Sequence, residues 1–193
     1  MEKLPENECF YCKHILEVES LDLLLASFVI RRESGVGLER YLKACAVEEE
    51  KIGEARTYLV LDKETEELVG YFTLKTGMVS INERVSLFKR EFDSLSGIEL
   101  SNFAVNDAYR EAHPEYDGVG LIIFTFFVLP IVKIVSRYVG VYLLFIFALP
   151  YKGLIEYYEK MNFRRLSLAD EYFLHRRLKP RYDRGCIFMS QRV

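Results

Sequence analysis

The chain of 193 residues has no tryptophan, only four cysteines, three histidines and five prolines. So few cysteines over this length exclude a disulfide-stapled miniprotein. Eleven glycines leave no collagen-like repeat or Pro/Gly-rich low-complexity stretch. With half of its residues apolar, the chain is not a disordered tail. Metal chemistry is also poorly supplied. Cys9, Cys12 and His14 form half of a zinc pattern, but Cys45, Cys186, His113 and His175 stand isolated, so no second ligand pair completes it. The alternation from Cys9 to Leu16 reads as a strand with ordinary thiols, and no metal is expected.

A long unbroken apolar run is missing as well. From Gly118 to Pro150, 24 of 33 residues are hydrophobic, and only Lys133 and Arg137 are charged. A membrane-spanning helix needs about 20 apolar residues in succession. Here Leu121–Val132 contains Pro130, Val139–Leu149 lies around Gly140 and before Pro150, and two cations stand between them. Two buried elements of a soluble fold explain the pattern. The acidic N-terminus lacks an apolar signal region, so a cytoplasmic protein with no membrane partner is expected.

The net charge of −3 conceals an asymmetry: residues 160–193 hold nine Lys/Arg against three Asp/Glu, or +6, leaving −9 on the rest. The densest part, His175–Arg184, is of the kind that meets phosphates of a cofactor or an RNA, or forms a solvated irregular segment before a last strand.

No repeat or linker divides the chain, and one domain over residues 1–193 is expected. Ser20 is placed to cap a short helix, Leu21–Phe28. The spacing of Leu38, Tyr41, Leu42, Cys45 and Ala46 predicts a second helix over Gly37–Lys51. Two β-rich runs, Arg56–Asp62 and Leu68–Leu74, flank a polar turn and predict a hairpin. A helix over Glu83–Asp93 is expected next, then a strand over Ile98–Val105 and a polar loop over Asn106–Asp117. An apolar helix opening at Gly118 and kinked at Pro130 should follow. An apolar strand (Val141–Ala148), a helix (Tyr151–Met161), a short strand near Phe163–Leu168 and a last strand at Cys186–Arg192 complete a mixed α/β chain.

The strand, loop and Gly118-Val119-Gly120 helix start form the most informative junction. Unpaired first-turn amides at the positive end of a helix can receive an anion, and glycine lets the anion come close. The pattern lacks the third glycine of a dinucleotide fingerprint and the Lys of a P-loop. Further on stands Tyr157-Tyr158-Glu159-Lys160-Met161-Asn162-Phe163.

Together these features resemble the GNAT superfamily of acetyl-CoA-dependent N-acetyltransferases. In that family a hairpin precedes a bulged strand, a glycine-rich loop opens the central helix, and a later helix carries an F-Y-E-K-x-G-F-like motif. Residues 157–163 match that motif with Asn162 in place of Gly, and Asn is the residue other than Gly best suited to a left-handed helix cap. The resemblance covers roughly residues 56–192. Phe28, Gly35, Leu38, Tyr41, Leu42 and Ala46, ahead of the hairpin, are similar to the branch that includes tRNA-acetylating toxins.

The resemblance implies a mixed β-sheet flanked by helices, with extra helices at the N-terminus. It also implies acetyl-CoA as the cofactor and an amine acceptor on a small molecule, a peptide or a tRNA. Backbone groups of Phe103, Ala104 and Val105 would pair with the pantetheine arm, and Gly118, Val119 and Gly120 would hold the pyrophosphate. Tyr158 would protonate the leaving thiolate; its other reading is packing. Glu99 is the first candidate for the base, although an exposed strand glutamate is the plainer explanation.

Glu115 stands where the family's loop opens on a basic or amide residue, and Asp117 directly precedes Gly118; these two carboxylates would repel a pyrophosphate unless turned outward or offset by cations. Arg110 and His113 are the cations at hand. The acidic loop also allows a GNAT-fold binding module with weakened cofactor binding. From Leu121 to Val132 only Thr125 is polar, so the N-terminal helices or a second subunit, in a homodimer, should cover this helix.

Overall fold

The computed structural model describes residues 3–86, 89–177 and 185–193. Among them, seven strands form one mixed sheet in the order β1-β2-β3-β4-β5-β7-β6. This is the α/β class with flanking helices that the sequence predicts. The chain divides into two compact units, Met1–Lys75 with Leu100–Ile134, and Thr76–Glu99 with Val135–Val193.

The first unit contains β1 (Phe10–His14), β2 (Arg56–Asp62), the beginning of β3 (Leu68–Val85) and the end of β4 (Arg90–Val105). β1 runs antiparallel to β2, with Phe10 opposite Asp62, and β2 runs antiparallel to β3, with Thr57 opposite Thr73. The two threonine hydroxyls lie 3.1 Å apart across that pair. Helices α1 (Leu21–Ser27), α2 (Val36–Ala44) and α3 (Ala46–Lys51) pack on the sheet. Ile15, Leu25, Phe28, Leu42, Ala46, Leu59, Leu61, Leu68, Tyr71 and Ala104 form their common core. The Tyr71 hydroxyl, deep in this core, donates to the carbonyl of Leu38 at 2.7 Å.

Two local expectations are corrected here. The helix predicted over Gly37–Lys51 is divided at Cys45, whose φ of −120° departs from helical values although its amide still donates to Tyr41 and its carbonyl accepts from Glu49. The break keeps Leu42 and Ala46 buried while Cys45 turns out to solvent. Ser20 precedes α1 but makes no side-chain cap bond.

The apolar helix is continuous through Pro130: α5 (Val119–Ile123), a π-helical turn (Phe124–Val128) and α6 (Leu129–Ser136). Proline lacks an N–H and crowds the carbonyl four residues back, and a widened turn relieves both. The Leu129 amide accordingly donates to Phe124, five residues back. The stretch Val119–Ser136, with mean hydropathy 2.4, is long and apolar enough to cross a membrane by length and composition alone. A core helix passes the same measure, and 44% of this stretch is buried in the fold. Val119, Gly120, Ile123, Phe124, Phe127 and Val128 face inward, while Leu121 and Phe126 are exposed.

The second unit holds the outer part of the β3–β4 hairpin, β5 (Leu143–Ala148), β6 (Arg164–Arg165), β7 (Ile187–Arg192), α7 (Lys152–Lys160) and α8 (Leu168–Arg177). β5 runs parallel to β4 and antiparallel to β7. Its core gathers Val79, Leu143, Phe145, Leu174 and Phe188.

The helix expected over Glu83–Asp93 is absent: β3 and β4 continue as a long hairpin to Val85 and from Arg90. Cross-strand bonds close it, from Arg84 to Asp93 at 2.9 Å and from the Asn82 side-chain Nδ2 to Asp93 at 2.9 Å. α8, not singled out in the sequence, ends in the first three residues of the basic segment His175–Arg184. Its cation Arg177 lies over the Phe92 ring at 3.9 Å. Residues 178–184 of that basic segment lie outside the described residues.

Candidate functional site

In the first unit, the end of β4 and the start of the apolar helix are brought together at Gly70 of β3. A Cβ there would stand 2.7 Å from the Ala104 carbonyl oxygen, 2.8 Å from Ile123 Cδ1 and 3.3 Å from Val105 Cα. Only glycine permits this approach.

Beyond Val105 the chain is anchored by two buried side chains, Asn106 and Asp107. The Asn106 side chain accepts from the amides of Val29 at 3.1 Å and Ala108 at 3.2 Å, and donates to Leu68 O at 2.8 Å. Asp107 accepts from the Arg31 amide at 2.7 Å. This pair was not singled out in the sequence, although a strand ending in Asn-Asp before a helix start carries the N-cap signature. It opens α4 (Asp107–Ala112) within the stretch expected as loop.

The parallel pairing of β4 with β5 covers Gly97, Ile98 and Glu99. From Leu100 to Val105, the β4 edge away from β3 has no partner strand among the described residues. Phe103, Ala104 and Val105 therefore offer backbone groups along an open strand edge, the geometry that an extended ligand completes. Gly118 has φ +71°, and a Cβ on it would meet nothing within 4 Å. Its carbonyl accepts from the amides of Leu121 at 2.8 Å and Ile122 at 3.3 Å, so the helix begins there. Val119 and Gly120 supply the first-turn amides, which an α-helix leaves without partners. All six residues of the expected cofactor site thus belong to the same unit.

The acidic loop is partly neutralised. The ring nitrogens of His113 lie 3.2 Å from Glu115 Oε1 and 2.8 Å from Glu67 Oε2, within hydrogen-bond reach of both. Its bond to Glu67 raises its pKa above the ordinary histidine value; desolvation opposes this and Glu115 adds to it. Arg110, the other cation expected here, turns back to Asp107 at 2.7 Å. Asp117 is exposed and has no ion-pair partner among the described residues.

Glu99 and Tyr158 belong to the second unit. Glu99 is 7% exposed, so the expected solvent-facing strand glutamate is instead a buried carboxylate, level with Phe145 of β5. Tyr158 lies on α7, with its ring edge-on to Phe163 at 5.8 Å and tilted against Tyr157 at 6.1 Å. Burial pushes its hydroxyl well above the usual phenol range, and the neighbouring Tyr157 adds to the shift, so it is a neutral O–H donor at physiological pH. Asn162 ends this helix at φ 68°, the left-handed cap expected of it. Among the described residues, no group of three His, Cys, Asp or Glu is arranged to hold a metal ion.

No protein-family profile and no curated protein matches the chain at a significant level. Solved structures do match it over nearly its full length. A tyrosine-to-phenylalanine variant of KacT shares 17% identity at TM-score 0.66, covering 96% of this chain and 95% of that one. A variant of the AtaT toxin, bound to the C-terminus of the antitoxin AtaR and acetyl-CoA, shares 16% at TM-score 0.58, with 94% and 92% covered. The AtaT–AtaR complex bound to DNA shares 18% at TM-score 0.56, with 93% covered in each. The chain has the fold of these proteins, the GNAT-like architecture that the sequence resemblance implies.

Proposed function

We propose that the protein is an acetyltransferase that moves the acetyl group of acetyl-CoA to an amine by direct attack. The observation that carries this reading is the open β4 edge over Leu100–Val105 beside the helix start at Gly118, in a fold that AtaT shares with acetyl-CoA bound. Phe103, Ala104 and Val105 would pair with the pantetheine arm as an added strand does. The amides of Val119 and Gly120, with the turn at Gly118, would meet the pyrophosphate at the positive end of the helix.

The chemistry needs two proton movements. The amine must be neutral when it attacks the thioester carbonyl, and Glu99, buried on the strand that leads to this edge, is the candidate base. As the tetrahedral adduct collapses, the carbon–sulfur bond breaks and Tyr158 gives its proton to the departing thiolate. Desolvation of its hydroxyl holds Tyr158 protonated, so the proton is present to be given.

The finer reading is that the amine belongs to an aminoacyl-tRNA. The +6 charge of residues 160–193 suits a polyanion, and the sequence resembles the tRNA-acetylating branch. An antitoxin-like partner belongs to the same reading, since a neighbour of the same fold binds one. The alternative, a binding module with a weakened cofactor site, drew on Glu115 and Asp117, and the His113–Glu115 bond removes part of its basis. We expect the protein to be cytoplasmic.

Calorimetry with acetyl-CoA, followed by transfer of labelled acetyl to small amines, peptides and charged tRNA, tests the whole. No binding at millimolar acetyl-CoA overturns the enzyme. Transfer to small amines but not to charged tRNA overturns the tRNA acceptor alone.

A further inference from the structure

His113 stands between two carboxylates at the mouth of the acidic loop. One ring nitrogen faces Glu67 Oε2 at 2.8 Å, from the beginning of the β3 side of the hairpin, and the other faces Glu115 Oε1 at 3.2 Å. An ionised carboxylate only accepts hydrogen bonds, and a neutral imidazole has only one N–H to give. Both bonds can therefore be made at once only by the imidazolium.

The backbone fixes where this cation sits. His113 ends α4, its amide donating to the Tyr109 carbonyl at 2.9 Å, while its own carbonyl accepts from the Tyr116 amide at 3.2 Å. The groups facing the ring come from every neighbouring element. Tyr109 of α4 stacks on it at 4.3 Å, and Tyr116 of the loop lies at 6.3 Å. Glu67 and Glu115 bond it, and Asp62 at the end of β2, held by the Tyr109 hydroxyl, senses its charge.

Resting on the acetyl-CoA reading, we propose that His113 is a positioning residue of the cofactor loop: as the imidazolium it ties Glu115 to Glu67 and keeps that negative charge turned from the helix start at Gly118. Glu115 stands three residues before Gly118, so the two Cα atoms are at most about 11 Å apart, close to one screening length at moderate salt. A released Glu115 carboxylate would be felt there. When His113 loses its proton, the shorter bond, to Glu67, keeps the remaining N–H, and Glu115 is freed. The device is closed below the raised histidine value and opens above it.

Two measurements test it. Side-chain NMR of the intact protein should show His113 titrating above the ordinary histidine range and moving down in Glu67→Gln. Titration at or below the ordinary value overturns the clamp with no cofactor present. Acetyl-CoA affinity, measured calorimetrically at low salt on either side of the His113 titration seen by NMR, should weaken about three- to tenfold in the wild type as the proton is lost. Glu115→Gln should be flat over that range. His113→Asn should be weaker even on the acid side of that titration and be restored by adding Glu115→Gln, and this rescue distinguishes lost positioning from a lost fold. A wild type that binds with no pH dependence, or a Glu115→Gln protein with the same slope, overturns the clamp and leaves the acetyltransferase standing. Absence of acetyl-CoA binding at every pH overturns the acetyltransferase reading, and the loop's role with it.

Discussion

A Cβ placed on Gly70 would lie 2.7 Å from the carbonyl oxygen of Ala104. The obstacle is backbone, on the strand whose open edge is the proposed pantetheine site, so it cannot swing away as a side chain would. Gly70→Ala should therefore push β3 and β4 apart and cost about 1–3 kcal/mol, read as a lower urea midpoint. Acetyl-CoA affinity should fall with it, because Ala104 and Val105 move. Unchanged stability would mean that the strand end has room that this packing denies it.

Tyr109 and Asp62 form the second such relationship. The phenol donates to Asp62 Oδ2 at 2.5 Å, while Oδ1 accepts from the Glu64 and Thr65 amides at 2.8 and 3.1 Å. Burial opposes the charge on Asp62, but the Tyr109 hydroxyl and the two amides outweigh it and hold its pKa below the usual aspartate value. A carboxylate depressed on folding stabilises the protein above its unfolded pKa, about 3.9, and the contribution fades as pH falls through the lower folded value. Tyr109→Phe leaves Oδ2 buried without its donor and should cost about 1–3 kcal/mol near neutral pH. The difference from wild type should shrink as pH falls below the usual aspartate range, where Asp62 takes up a proton. A pH-independent difference in urea unfolding would assign the loss to packing alone.

Gly118 gives a prediction in which strain and ligand contact separate. Its φ of +71° disfavours any side chain, although the space around it is empty. Gly118→Ala should cost about 1 kcal/mol of stability, and Gly118→Asn less, because Asn tolerates the left-handed region. Both variants put a Cβ where an anion would approach the amides of Val119 and Gly120. If the loop takes the pyrophosphate, acetyl-CoA should bind more weakly to both, whatever their stabilities. Affinity that follows stability alone would place the pyrophosphate elsewhere.

Much of this was legible in the sequence, for physical reasons that can be named. The hairpin of β2 and β3 declared itself through β-branched and aromatic runs around a polar turn. The left-handed conformations at Gly118 and Asn162 followed from residue types that tolerate them. The long β3–β4 extension did not, because its charged outer half makes no two-period pattern strong enough to outweigh a helical spacing of Val85, Phe88 and Phe92. Its strand form depends on tertiary partners, such as Asp170, which accepts from the Asn82 amide at 2.8 Å. α8 was missed although its signal was present: Ser167 bonds the Asp170 amide at 3.2 Å, a Ser-x-x-Asp cap that the basic residues after it obscured. Of the candidate site, the helix start at Gly118 was legible and the His113–Glu67 bond was not, since 46 residues separate its ends.

Tyr158 offers the sharpest test of the chemistry. Its ring packs on Phe163 and Tyr157, so a purely structural role predicts that Tyr158→Phe, which keeps the ring, is silent. A general acid predicts the opposite. Losing this proton donor to the thiolate should lower kcat by about 10²- to 10⁴-fold while acetyl-CoA affinity stays near the wild-type value, because the hydroxyl acts as the carbon–sulfur bond breaks and not on the bound ground state. Burial holds the wild-type hydroxyl protonated far into the alkaline range, so loss of its proton should not limit the rate near neutral pH. A falling alkaline limb would then report His113, and it should persist in the residual activity of Tyr158→Phe. A chromogenic thiol assay with a good amine acceptor reads both effects. Wild-type turnover in Tyr158→Phe would make this tyrosine a packing residue and leave the thiolate to be protonated by water.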